Sequence, residues 1–178
     1  MNNKHFLDSI ILQFAALRKE VEKEFYYLEE DELKRHEGEA WSIGECIEHL
    51  NLVNERYVTN IKKALDNPSQ RKKEGYRATW IGNLLIRSNK PKQGNKIPFP
   101  TKTSKDFIPQ RDRRPQAIFL DFNSILGELE ALAEQSKEVS LNTRVSTLIP
   151  ILSIRLAEAF EVLIAHMERH ILQAKRLK

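Results

Sequence analysis

The strongest constraint on the fold is the spacing of apolar residues, which recurs at three- and four-residue steps in four separate stretches. Residues 4 to 29 set Phe6, Leu7, Ile10, Ile11, Phe14, Leu17, Val21, Phe25 and Leu28 at that step, the period of an amphipathic helix. The polar run EEDELKRHEGEA breaks it, with Gly38 as punctuation. In WSIGE the spacing of Ser42 and Glu45 is that of a capping box, with Trp41 and Cys46 at the hydrophobic-staple positions. This predicts a second helix from Ser42 to about Leu65, stopping before Asn67 and Pro68. A third is predicted from Gln116 to about Lys137 on Ile118, Phe119, Phe122, Ile125, Leu126, Leu129 and Leu132. VSLNTRVSTLIPIL reads as a connection, after which Ser153 would cap a final helix to about Leu177. Its Ile154, Leu156, Ala157, Phe160, Leu163, Ile164, Met167 and Ile171 are enough to pack on more than one side.

Connections of about 12, 50 and 15 residues join these helices, a pattern that predicts an all-α fold, a four-helix bundle with one long crossover after helix 2. Short connections make helices 1 and 2, and helices 3 and 4, antiparallel; the long one allows helices 2 and 3 to run parallel. At 178 residues a single domain, 1–178, is the expectation. Six glycines weigh against a turn-rich all-β chain.

The crossover, residues 67–115, holds six of the seven prolines and no sustained period, apart from a short helix expected around Ala78 to Arg87. Loops of that length inside a domain often serve as lids or crossovers. The net charge of +4 conceals its composition. Residues 62 to 114 carry 15 Lys and Arg against 4 Asp and Glu, so that stretch is +11 and the remainder −7. Cys46, the one cysteine, excludes an internal disulfide framework and fits a reducing compartment. Ile10 to Leu17 is short and interrupted by Gln13, so it reads as a core helix rather than a signal peptide or membrane span. A cytoplasmic location and no membrane partner are the default expectations.

Of five histidines, His5 near the N-terminus and His36 in a charged loop read as surface residues. His166 and His170, in IAHMERHILQ, lie one helical turn apart with Cβ atoms about 6 Å from each other. Two imidazoles so placed can reach one ion, each at about 2.0–2.1 Å; two polar residues sharing a surface face is the competing reading. The likeness of HMERH to the zinc-protease motif fails on geometry, because Glu168 lies about 200° around the helix from His166. The face of His166 and His170 includes Ala159, Val162, Leu163 and Gln173, and His49 lies between Cys46, Leu50 and Val53, near the core stripe of helix 2. An imidazole in such surroundings is costly unless something satisfies it. One metal ion shared by three histidines from two helices would satisfy all of them.

The stretches WSIGECIEHL, residues 41–50, and HMERHILQ, residues 166–173, resemble the DinB-like superfamily, which includes metal-dependent hydrolases of the YfiT type and the S-transferases that use bacillithiol or mycothiol. The first is similar to that family's Trp-Ser start of helix 2 with a following His-Leu, and the second to its H-x-x-x-H-x-x-Q ending. The two stand in the expected order, and the helical pattern covers nearly the whole chain. The resemblance implies an up-down-down-up four-helix bundle with one divalent metal, zinc or nickel, held by His49, His166 and His170.

Three histidines leave a divalent ion with open positions, the arrangement of catalytic sites. The ion would lower the pKa of a bound water or thiol. Water gives a hydrolase; a low-molecular-weight thiol gives S-transfer to a small-molecule electrophile, the reading the resemblance favours, in detoxification or stress response. Glu45, one turn before His49, is the candidate catalytic residue, either as an acceptor behind the ligand or as a proton shuttle; its competing role is the capping box. Gln173 can orient His170 or be a polar residue at a fraying end. Cys46 reads as a small buried hydrophobe ahead of a fourth ligand. The alternative function is a non-catalytic helical bundle that binds metal, as in a metal-stabilised dimer, or binds a polyanion through the basic crossover with Tyr76, Trp80 and Phe99 as stacking groups. Nucleic acid is not the expected partner.

Overall fold

Asn2 opens the first helix, its side chain accepting from the Lys4 amide, and α1 runs Asn3–Phe25. Its buried stripe is Phe6, Leu7, Ile10, Phe14, Leu17, Val21 and Phe25. The computed structural model describes residues 2–68, 75–92 and 103–178. Two differences from the sequence reading follow α1. The helix stops four residues short of 29, and the polar run that should only break it holds a short helix, α2, Glu30–Lys34. There the Glu29 amide donates to the Glu32 carboxylate at 3.0 Å, and Leu33 is the buried anchor. One apolar residue in a charged run leaves no period to read.

The next helix, α3, is Ile43–Asp66. Ser42 caps it as the spacing predicts: its Oγ accepts from the Glu45 amide at 3.2 Å, and its own amide donates to Glu45 Oε2 at 2.8 Å. Beyond it, α4 is Trp80–Asn89, with Thr79 as cap. Pro115 at the first position starts α5, Pro115–Gln135. A short 3-10 turn at Ser136–Glu138 completes the span expected to be helical up to Lys137.

Ser153 does not cap the last helix. It begins a strand, β2, Ser153–Arg155, which pairs antiparallel with β1, Arg144–Ser146. Val145 and Ile154 face each other across the hairpin and both are buried. The two three-residue strands alternate a β-branched centre with polar flanks, a period too brief to separate from the helical pattern that follows. The last helix, α6, is therefore Leu156–Lys175, with Arg155 as its cap. The loop between the strands holds Pro150 and Ile151, and Ile151 is fully exposed with a left-handed φ of 69°.

The described protein is mostly helical, with one two-stranded sheet. The main contacts of α1 and of α3 are both with α5 and α6, and this four-sided packing encloses Phe14, Phe25, Phe122 and Phe160. Phe14 meets Phe160 edge-on, ring centres 6.2 Å apart. Among the described residues no helix is long and apolar enough to cross a membrane.

Outside this core, α4 lies against α6. A Cβ on Gly82 would overlap the Glu158 carboxyl group, so the approach depends on glycine there. Buried Glu158 accepts from two backbone amides, Thr79 at the start of α4 and Arg155 at the start of α6. One carboxylate thereby closes the first turns of two helices. The Tyr76 hydroxyl donates to Glu161, and the Arg155 guanidinium donates to the Arg77 carbonyl.

Candidate metal centre

His49 lies on the second turn of α3, and His166 and His170 face it from α6. Regular helix places all three. The i,i+4 spacing puts the α6 pair on one side, and packing of α3 on α6 brings His49 to it. Ring centres are 4.6 Å apart for His49 with His170 and for His166 with His170, and 5.1 Å for His49 with His166. One nitrogen from each ring lies within 4.8 Å of the others.

The tautomer of His49 follows from its neighbour. Its Nδ1 lies 2.7 Å from the Phe107 carbonyl, which can only accept, so Nδ1 carries the proton and Nε2 presents a lone pair. That Nε2 lies 3.3 Å from Nε2 of His166. Two nitrogens held at about 2.0–2.1 Å on tetrahedral directions stand about 3.3 Å apart. The Nδ1 atoms of His166 and His170 are buried without a hydrogen-bond partner. Donor type and spacing fit one divalent ion.

Protonation points the same way. Burial lowers the pKa of His49, against the Phe107 hydrogen bond that favours its charged form. Burial also holds His166 well below its ordinary value, and the charges of His170, His49 and Arg169 add to it. His170 is pushed down to about 3, first by burial and then by His49 and Arg169, with a hydrogen bond to the Gln173 side chain opposing. Neutral imidazoles are the ligating form.

The triad opens on a cavity of about 870 Å³, the size that encloses a drug-sized molecule. One wall comes from α3 and α6, with Val53, Tyr57, Val162 and Leu163 beside the histidines and Trp41 just ahead of α3. The Trp41 ring lies 4.8 Å from His49 and 6.0 Å from His170. The opposite wall comes from Leu85, Ser88 and Asn89 of α4, Thr103, Ser104 and Phe107 of the crossover, and Thr147 to Ile149 of the hairpin loop.

The remaining sequence candidates divide. Gln173 lines the cavity. Glu45 is buried but does not line it; its carboxylate accepts from the Ser42 amide and lies 3.4 Å from His36 and 3.5 Å from Arg111. Cys46 is buried, also off the cavity, and its thiol is pushed up to about 12 by burial and by Glu45. Glu168 points away from the cavity, as the wheel geometry requires. His5 and His36 are exposed, and the His36 Nδ1 lies 3.0 Å from the Ala40 carbonyl. Tyr76 is engaged by Glu161, Trp80 is 76% exposed, and Phe99 lies outside the described residues.

Sequence reasoning missed several contributors. Phe107 acts through its backbone carbonyl, which no side-chain pattern reveals. Arg169 lies inside HMERH, three residues after His166, and that spacing was a usable signal for a cavity residue. Behind His49, Glu48 is buried and accepts from Arg113 at 2.6 and 2.8 Å, while Arg113 also pairs with Asp121. That ion pair fixes the end of the crossover to α3 and α5.

Comparison with curated proteins gives no match, and comparison with solved structures gives none either. The sequence model of the DinB superfamily matches residues 13–174, a span that contains α3, all but the last residue of α6, and all three converging histidines. The chain belongs to the DinB superfamily.

Proposed function

We propose that this chain is a divalent-metal-dependent enzyme in which His49, His166 and His170 hold the ion, and that its reaction is thiol S-transfer of the bacillithiol type, with hydrolysis as the related outcome. The carrying observation is the pair of facing Nε2 atoms 3.3 Å apart at the base of a large cavity. Zinc or nickel is the expected ion, and when bound it supplies the acidity that makes a water or thiol nucleophilic near neutral pH. A low-molecular-weight thiol and a small electrophile are the proposed co-substrates, in detoxification or stress response.

The roles of the chain's own groups follow from their positions. The Phe107 carbonyl holds the His49 ring with Nε2 toward the cavity. Trp41 covers the rings of His49 and His170, and Gln173 orients His170. Glu45 acts from behind as a positioning residue, because the turn it closes with Ser42 fixes the adjacent Trp41. The apolar wall excludes water and receives the body of a substrate. We read residues 1–178 as one up-down-down-up four-helix bundle, working in the cytoplasm without a membrane or nucleic-acid partner; a homodimer is compatible with this reading.

The test is elemental analysis of protein purified without chelator or affinity tag, beside the variant carrying His49→Ala, His166→Ala and His170→Ala. The expectation is about one zinc or nickel per wild-type chain and none in the variant. Equal metal in both sinks the site. Bacillithiol with a thiol-reactive electrophile and added metal should then turn over only with wild type; equal rates remove the transferase and leave a non-catalytic metal-binding or polyanion-binding bundle.

A further inference from the structure

The chain has four tyrosines, and three of their hydroxyls have partners: Tyr26 accepts from Asn123, Tyr27 accepts from Lys178, and Tyr76 donates to Glu161. Tyr57 is the most buried of the four, at 3% exposed, and its hydroxyl has no partner among the described residues. Burial alone pushes this phenol up, so the proton stays on the oxygen and is there to be donated. Tyr57 lines the cavity. On the opposite wall the polar groups are turned to backbone: Ser88 Oγ and Asn89 Nδ2 each donate to the Leu85 carbonyl at 2.9 Å, and Thr147 Oγ1 donates to the Leu152 carbonyl at 3.1 Å. A hydroxyl donor buried beside a cavity is costly unless a ligand there supplies the acceptor.

Tyr57 stands two helical turns, about 12 Å, beyond His49 on α3, with Val53 between them on the same side. Three residues further, Asn60 donates to the Ser146 carbonyl at 2.9 Å, which brings the hairpin loop to this end. The cavity is therefore long, with the histidines and Trp41 at one end and Tyr57, Leu148 and Ile149 at the other. Among the described lining residues the charged ones, Glu39 and Arg169, belong to the histidine end: Glu39 precedes Trp41 by two residues, and Arg169 falls between His166 and His170. Val53, Phe107, Val162 and Leu163 line the space between. A run of apolar groups leading to one uncharged donor fits an apolar body that carries an uncharged acceptor.

We propose that Tyr57 determines specificity in this cavity: its hydroxyl donates to an uncharged oxygen, a carbonyl above all, on an elongated apolar substrate whose reacting end lies at the histidines. The inference deepens the reading of this cavity as the substrate site, and its test needs no ion. At two turns from the histidines, Tyr57 sets which molecule is held rather than which bond reacts.

The probes are benzylacetone, an apolar ketone, and its analogue in which a methylidene group replaces the oxygen. Metal-free protein is titrated with each by calorimetry, and the carbonyl stretch of bound benzylacetone is recorded by infrared difference spectroscopy. The bound carbonyl should absorb at lower wavenumber than benzylacetone in hydrocarbon solvent, the mark of an accepted hydrogen bond. Tyr57→Phe should return the band toward the hydrocarbon position and weaken benzylacetone about tenfold relative to the methylidene analogue. The urea midpoint of the free protein should stay level or rise, because the substitution removes only a hydroxyl that the fold leaves unpaired.

A wild-type band at the hydrocarbon position, a band that stays shifted in Tyr57→Phe, or no binding of benzylacetone overturns the proposal. The wild-type band needs no variant, so a misfolded Tyr57→Phe leaves the test standing. No binding of either probe also removes the cavity as a ligand site, whereas binding with an unshifted carbonyl keeps the site and removes only the role of Tyr57. Zinc uptake, measured apart on ligand-free protein, decides the ion. A chain that takes up no zinc yet shifts the carbonyl loses the metal and keeps Tyr57; a chain that takes up zinc and leaves the carbonyl unshifted does the reverse.

Discussion

The two walls of the cavity are made in different ways. One is built on α3 and α6, long helices whose opposite faces are buried in the core, with Trp41 just ahead of α3, and it contributes side chains: three imidazoles, an indole and a guanidinium. The other belongs to the crossover and the hairpin loop. It contributes apolar and neutral polar side chains and the Phe107 carbonyl to the site, and polar contacts such as Glu158 with Thr79, Tyr76 with Glu161 and Arg113 with Glu48 hold it in place. The first wall cannot move without disturbing the core, whereas the second can change shape at the cost of a few hydrogen bonds. The histidine triad and the breadth of the cavity are thus set by parts of differing robustness.

The largest effect should come from detaching the second wall. Glu158→Ala strands two backbone amides, which costs about 2–3 kcal/mol, read as a lower urea midpoint. Hydrogen exchange should rise in α4 while metal affinity stays within about tenfold. Loss of metal with α4 still protected would mean that the walls are not held separately.

The first wall is probed by acid. An unfolded imidazole titrates near 6.5, whereas folded His170 takes its proton only near 3. Between those values the unfolded chain binds more protons, so stability of the metal-free protein is fully present above pH 6.5 and falls as pH drops. At pH 5 the loss from His170 alone is about 2 kcal/mol. Urea midpoints at pH 7 and pH 5 should therefore diverge more for wild type than for His170→Gln; matching shifts would show that this imidazole does not titrate out of the fold.

The smallest effect lies where the walls meet. Phe107→Ala keeps the carbonyl but removes the buried ring that anchors its turn, and metal affinity should fall about tenfold as His49 loses its fixed tautomer. An unchanged affinity would make the Phe107 contact incidental.

Legibility in the sequence follows the same division. The long helices were readable because each buries a face at a regular step, and Ser42 with Glu45 marked the start of α3 to the residue. The histidine triad was readable because two of its members lie one helical turn apart and the third sits on a core stripe. Ser153 was misread because a three-residue strand gives one alternation, absorbed into the period of α6. Leu33, Phe107 and the docking of α4 were out of reach, since a lone anchor, a carbonyl and a contact between distant residues leave no periodic trace.

Gly82 carries a further consequence. The separation of α4 from α6 is set by an absent methyl group, because the space a Cβ would take is filled by the Glu158 carboxyl. A side chain at this position would press α4 away from Glu158 and carry Leu85, Ser88 and Asn89 with it, so a single codon change can reshape one wall of the cavity while the three imidazoles stay where they are.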